Sequence, residues 1–198
     1  MSKPLAIDLF AEDRAHEELL KPLIERVAAE RGRTVAVHVR SARGGHGEAI
    51  DEFRLYQRQV GRLRRRGTPD LVVVAIDTNC GSFTETRNAI TKATRPGVRD
   101  RCVPACPDPH VERWYLADLK GFHRAVGATP SVPKGKCERD LYKRILAQAV
   151  VAAEHPATLG GIEFAHEIVE AMDLFRAGKS ESSLKHFIDD LRAGLRRL

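Results

Sequence analysis

The clearest signal in the chain is Leu71-Val72-Val73-Val74-Ala75-Ile76, a continuous apolar run that stops abruptly at Asp77-Thr78-Asn79. A strand covered on both faces has this pattern. Leu5 to Phe10 reads as an earlier strand, and Thr34 to Val39 alternates as a second. Arg101 to Ala105 reads as a fourth. Between them apolar residues recur at helical spacing. Leu19, Leu20, Leu23, Ile24 and Val27 share one face of a helix from about 14 to 30, which Gly32 closes. Ile50, Phe53, Val60 and Leu63 mark a second helix from about 48 to 66. A third, from about 84 to 94, ends before Pro96-Gly97. Asp108-Pro109 predicts a helix start, with Asp as N-cap and Pro in the first turn, leading to Val111, Trp114, Tyr115 and Leu119.

Strand and helix thus alternate over the first ~120 residues, which predicts an α/β fold with a mainly parallel, doubly wound sheet of about four strands. Residues 127 to 137, GATPSVPKGKC, form a polar loop rich in Pro and Gly. Beyond it the pattern is helical only: about 138–153, 162–177 and 182–197. The expected organisation is an α/β domain over 1–125 and a helical extension over 126–198, packed on the same domain.

Composition narrows the function classes. The 198 residues are 42% hydrophobic and 30% charged, enough for an ordinary core. No apolar stretch approaches the ~20 residues a membrane helix needs. The short apolar run at the amino end is cut by Asp8 and lacks a cleavage pattern, so a cytoplasmic protein without membrane attachment is expected. The formal net charge of +6 permits binding to a polyanion without requiring it.

In open α/β sheets, ligands bind outside the carboxyl ends of the strands. Those ends carry Glu12 with Asp13, then Gly44-Gly45-His46-Gly47, then Asp77 and Asn79, then Asp108, His110 and Glu112. Hard cations such as Mg²⁺ take oxygen ligands. Glu12 and Asp77, on different strands, offer carboxylates, and Asn79 offers a carbonyl oxygen. Glu112 offers a third ligand or a general base. The competing readings are ordinary. Glu12 and Glu112 also suit helix starts, Asp77 suits a turn, and the glycines suit a flexible connection.

Arg54, Arg58, Arg62 and Arg65 recur at three- and four-residue spacing and make one basic helix face, extended by Arg64 and Arg66. Phosphate backbones favour such a stripe, though a solvated face has the same pattern. Lys134 and Lys136 add a smaller basic site. Trp114 and Tyr115 read as core rather than as base-stacking platforms. The four cysteines, Cys80, Cys102, Cys106 and Cys137, are expected as thiols. Cys102, Cys106 and His110 are spaced C-x3-C-x3-H, with Cys137 further on. This offers a zinc set, but buried thiols explain most of it.

A glutamate after strand one and an acidic motif after a later hydrophobic strand resemble the Toprim arrangement. That fold serves topoisomerases, primases and overcoming-lysogenization-defect nucleases. The residues are Glu12 in LAIDLFAEDRAHEELL and Asp77 with Asn79 in VVVAIDTNCGS. VPACPDPHVERWYLAD is similar to a P-x-x-E-x-W-L-L segment of small RloB-like Toprim proteins linked to bacterial defence islands. Pro109, Glu112, Trp114 and Leu116 carry that cadence, and the resemblance spans about residues 5 to 120. Asp13 stands where the family has glycine, and Asn79 where it has the second acid of D-x-D.

The resemblance implies a phosphodiesterase acting on nucleic acid and dependent on Mg²⁺ (or Mn²⁺). Glu12, Asp77 and Asn79 would hold the metal, with Glu12, Asp77 and Glu112 catalytic. Arg54, Arg58, Arg62 and Arg65 would hold the phosphate backbone. The alternatives are a catalytically degenerate component that binds a nucleotide or a partner such as an ATPase, and an enzyme acting on a small phosphorylated ligand.

Overall fold

A computed structural model describes residues 3–41, 46–60, 68–133, 137–138 and 140–198. Four strands, β1 (Leu5–Ala11), β2 (Val35–Ser41), β3 (Leu71–Ala75) and β4 (Cys102–Ala105), form one sheet in the order β2-β1-β3-β4. All neighbouring pairs are parallel. The fold is therefore α/β, as the alternation predicts, with the two most apolar strands at the centre.

Alternation along β3 divides the core. Leu71, Val73 and Ala75 face one apolar cluster, and Val72, Val74 and Ile76 face another. The second cluster lies under α2 (His46–Val60), α3 (Phe83–Ala93) and α4 (Pro96–Arg99), through Phe53, Ile90 and Val98. The first is larger. It joins α1 (Arg14–Ala29) to the C-terminal helices: α7 (Leu141–Ala152), α8 (Ala165–Ala171), α9 (Leu174–Ser180) and α10 (Ser182–Arg196). Tyr142, Leu146, Ile168, Phe187 and Leu191 belong to the same cluster as Ile7 and Leu9. Residues beyond 126 thus complete the cover of one sheet face.

Two short helices link the halves, α5 (Glu112–Tyr115) and α6 (Leu119–Val126). Trp114 and Tyr115 are fully buried, as expected of core residues. Trp114 stacks on Phe187 and donates its indole N–H to Ser183 Oγ at 2.9 Å. Tyr115 donates its hydroxyl to the carbonyl of Ala15 at 2.8 Å. Each large ring therefore satisfies its polar atom inside the core, as buried Trp and Tyr require.

Two boundaries differ from the sequence reading. The helix expected from Asp108-Pro109 starts only at Glu112. Thr78 donates through Oγ1 to the Asp108 carboxylate at 3.1 Å. The amides of Thr78 and Asn79 donate to the carbonyls of Pro107 and Pro109. Residues 107–109 thus extend the pairing of β3 and β4 instead of capping a helix. The single helix expected over 162–177 is broken. A 3-10 turn (Ile162–Phe164) leads into α8, and Asp173 then caps α9 by accepting from the amides of Phe175 and Arg176. A side chain that satisfies two helix-start amides makes a new start cheaper than continuation. No described helix is long and apolar enough to cross a membrane.

The approach of α6 to α8 is close enough to test. A Cβ at Gly121 would lie 2.8 Å from the carbonyl oxygen of Ala171 and 3.0 Å from Met172 Cα. Backbone would have to move, so Gly121→Ala should lower unfolding stability by about 1–3 kcal/mol, read by urea denaturation. Gly97→Ala, which meets nothing within 4 Å, should be neutral or slightly stabilising. Equal effects at both positions would deny the tight packing of the C-terminal helices.

Candidate active site at the strand ends

The carboxyl ends of β1, β3 and β4 open into a cavity of about 420 Å³. Glu12, Asp13, Asp77, Asn79, Cys80, His110, Glu112, Asp140 and Lys143 line it. The structure therefore brings together the expected Glu12, Asp77, Asn79 and Glu112, and adds others from both halves of the chain.

Its framework is backbone. The Glu12 amide donates to the Ala75 carbonyl at 3.1 Å, so β1 and β3 stay paired up to the site. Glu12 Oε2 accepts from the amide of Asp77 at 3.0 Å, which joins the two acids across neighbouring strands. Asn79 and Cys80 both adopt positive φ, 48° and 68°. Non-glycine residues rarely do so, and they persist only where surrounding contacts enforce it. Here the Asn79 amide donates to the Pro109 carbonyl at 3.1 Å, and the Gly81 amide closes a turn on the Thr78 carbonyl at 2.8 Å.

Asp77 is the centre of the site and is 7% exposed. Its Oδ1 lies 3.0 Å from His16 Nε2, and its Oδ2 lies 3.3 Å from His110 Nδ1. His16 is wholly buried, and its Nδ1 lies 2.8 Å from Asp13 Oδ1. Asp13, His16, Asp77 and His110 thus form a chain of alternating acid and imidazole. Burial alone would neutralise these groups. Burial opposes charge on His16, but Asp77 and Asp13 on its two sides outweigh it and raise its pKa well above the ordinary value. Burial likewise pushes Asp77 up, and the two histidines reverse this, so its pKa is lowered. The hydrogen bond to Asp77 raises the pKa of His110. Asp13 is pulled down to about 2 by its contacts with His16, against the effect of burial.

Glu112 is different. It is 2% exposed, and its buried Oε2 has no hydrogen-bond partner among the described residues. Burial raises its pKa. Lys143 places its Nζ 4.0 Å from Oε1. Lys143 and Asp140 come from the start of α7, which is held by Tyr142. Arg113 donates to the Tyr142 hydroxyl at 2.7 Å and pairs with Glu181 at 2.7 Å.

Sequence reasoning missed His16, Cys80, Asp140 and Lys143. For His16 a signal existed. It lies three and four residues before Leu19 and Leu20, on the apolar face of α1, where a polar side chain needs a partner. Asp13 caps α1 and accepts from the His16 amide at 3.1 Å, a role that its position beside Glu12 does not announce. The cysteines are also regrouped. Cys102 and Cys106 face the α2–α3 side of the sheet, where burial raises both thiol pKa values, Cys106 to about 12. Among the described residues they are not grouped with His110 and Cys137, so the zinc set that the C-x3-C-x3-H spacing offers does not form. Cys137 instead meets Cys80, and the two are joined as a disulfide, contrary to the expectation of four thiols.

Of the basic stripe, Arg54 and Arg58 are exposed on α2, and Arg54 pairs with Asp51 at 2.6 Å. Arg62 and Arg65 lie outside the described residues, as do Arg64, Arg66, Gly44, Gly45, Lys134 and Lys136. His46 and Gly47 open α2. No family model, curated protein or solved structure matches the chain.

The Asp13–His16 contact sets a pH dependence. The folded pKa of Asp13 is below its ordinary 3.8, at about 2. Its stabilising contribution is therefore complete above pH 3.8 and is lost as pH falls through about 2. Asn keeps the helix cap but does not titrate. The stability difference between wild type and Asp13→Asn should shrink over that window, measured by urea unfolding at stepped pH. A constant difference would mean that Asp13 carries no such linkage.

Proposed function

We propose that the strand-end cavity is a divalent-cation site of a Toprim-like phosphodiesterase that acts on nucleic acid. The observation that carries this reading is the charge of the cavity. Among the described residues, five carboxylates line it with one lysine and one histidine, His16 lies behind Asp77, and the buried Glu112 Oε2 has no hydrogen-bond partner. Uncompensated buried oxygen is costly unless a cation or proton satisfies it. Hard divalent ions take such oxygen ligands and keep several waters. Glu12, Asp77 and Asn79 would hold Mg²⁺ or Mn²⁺, with Glu112 beside them. A metal there supplies Lewis acidity and lowers the pKa of bound water.

The chain's own residues do the rest. Glu12 binds the Asp77 amide and fixes the loop after β3. His16 holds Asp77 ionised and in place. Glu112, whose pKa burial raises, suits a general acid or base. Arg54 and Arg58, with Arg62 and Arg65 further along the sequence, would contact phosphates without reading bases. The order β2-β1-β3-β4, with Glu12 and Asp77 ending neighbouring strands, supports the Toprim resemblance.

A second reading has its own observation. Both oxygens of Asp77 already face imidazole nitrogens, so the acid is neutralised without metal. That favours a degenerate component that binds a nucleotide or a partner such as an ATPase.

Calorimetry with Mg²⁺ and Mn²⁺, paired with cleavage assays on DNA and RNA, separates the two. Asp77→Asn should weaken metal binding on the order of 100-fold and abolish metal-dependent cleavage, and Glu112→Gln should lower cleavage more than binding. Absence of metal binding and cleavage in the wild type, with nucleic acid present, would favour the degenerate component.

A further inference from the structure

The loop after β3 ends at Cys80, and its sulfur does not stand alone. Cys80 Sγ, Cys137 Sγ and a ring nitrogen of His110 all lie within 4.8 Å of one another. Two sulfurs and an imidazole make a donor set with a definite preference. Thiolate and imidazole suit Zn²⁺, whereas Mg²⁺ takes oxygen. We infer that, with the cysteines reduced, Cys80, His110 and Cys137 bind one Zn²⁺ at the edge of the strand-end cavity.

Three independent features support the site. First, one ring nitrogen of His110 is already held by a carboxylate. Its Nδ1 lies 3.3 Å from Asp77 Oδ2, which leaves Nε2 for the ion. Histidine ligands commonly turn their other nitrogen to a carboxylate, which fixes the ring and its tautomer. Second, Cys80 is held in a backbone conformation of φ 68°. The loop on one side is tied to Pro107 and Pro109, the residues that lead into His110. Two ligands are therefore placed by one hydrogen-bonded pair of loops. Third, the Cα atoms of Cys80 and Cys137 are 5.7 Å apart, a spacing that suits either a disulfide or two thiolates on one tetrahedral ion.

The disulfide is then the metal-free, oxidised form of the same pair. A dithiol reductant supplies two electrons and two protons to it and is itself oxidised to a disulfide. When zinc enters, each thiol loses its proton as its sulfur bonds the metal, so two protons leave per ion. Three protein ligands leave a fourth position open, as in catalytic rather than structural zinc sites. Cys80 and His110 both line the cavity that holds Glu12, Asp77 and Glu112, so a water or a substrate oxygen has access to that position. This site goes beyond the phosphodiesterase reading and stands without it.

Co²⁺ titration of the full-length, reduced, metal-free chain tests the inference, because tetrahedral cobalt reports its ligands optically. One equivalent should give a thiolate-to-cobalt charge-transfer band and intense visible bands, both displaced by Zn²⁺. Cys80→Ser and Cys137→Ser should each diminish the charge-transfer band by about half or more, while circular dichroism confirms that the variants are folded. His110→Ala should weaken binding at least tenfold. Glu112→Gln should leave the bands intact, and the oxidised chain should show none. Mg²⁺ should not displace the cobalt, which separates this site from the carboxylate cation site. A reduced wild type without a charge-transfer band, or a band unchanged in both cysteine variants, would overturn the assignment.

Discussion

Asp77 ends the central strand in a place where water hardly reaches, and an ionised carboxylate there must be paired. The cost of removing a charge from water is several kcal/mol unless opposite charge and hydrogen bonds compensate it. Both compensations are present. His16 and His110 lie on its two oxygens, and its amide is bound by Glu12. Each partner is anchored in turn. His16 rests on Asp13 at the start of α1, and the loop before His110 is paired to the loop that carries Asp77. Three strand ends are thereby held to one point. The positive φ of Asn79 and Cys80 follows from the same arrangement, since the chain must leave β3 through a turn that keeps Asp77 inside.

The C-terminal helices belong to this arrangement as much as the sheet does. Through Tyr142, Phe187 and Leu191 they share a core with β1, β3 and β4. Through Asp140 and Lys143 they close one side of the cavity. Arg113 links the two roles, since it holds both Tyr142 and Glu181. A cavity built from both halves of a chain depends on the whole fold for its shape.

His110 stands between two chemistries. On one side are the carboxylates of Glu12, Asp77 and Glu112. On the other is the disulfide of Cys80 and Cys137. Asp77 is the contact between them, because His110 reaches it through Nδ1. Reduction of that disulfide would change the surroundings of His110 and, through it, of Asp77.

The parallel sheet, its four strands and most helix positions were legible along the chain, because each rests on local periodicity. Glu12, Asp77, Asn79 and Glu112 were legible too, since strand ends in an open α/β sheet converge whatever the details. The helix starts at Glu112 and Leu174 were not, because each depends on what one aspartate side chain binds: Asp108 a distant threonine, Asp173 its own following amides. The pairing of the cysteines was not legible either. Cys137 is closest in sequence to Cys106, but it meets Cys80, 57 residues away. His16 is the plainest case. Its place on the apolar face was written in the spacing of α1, but its partner was not. Periodicity tells a residue which way to face. Only the tertiary fold, which brings the loop after β3 to the start of α1, decides that what it faces is Asp77, because that contact joins residues whose separation no local pattern can encode.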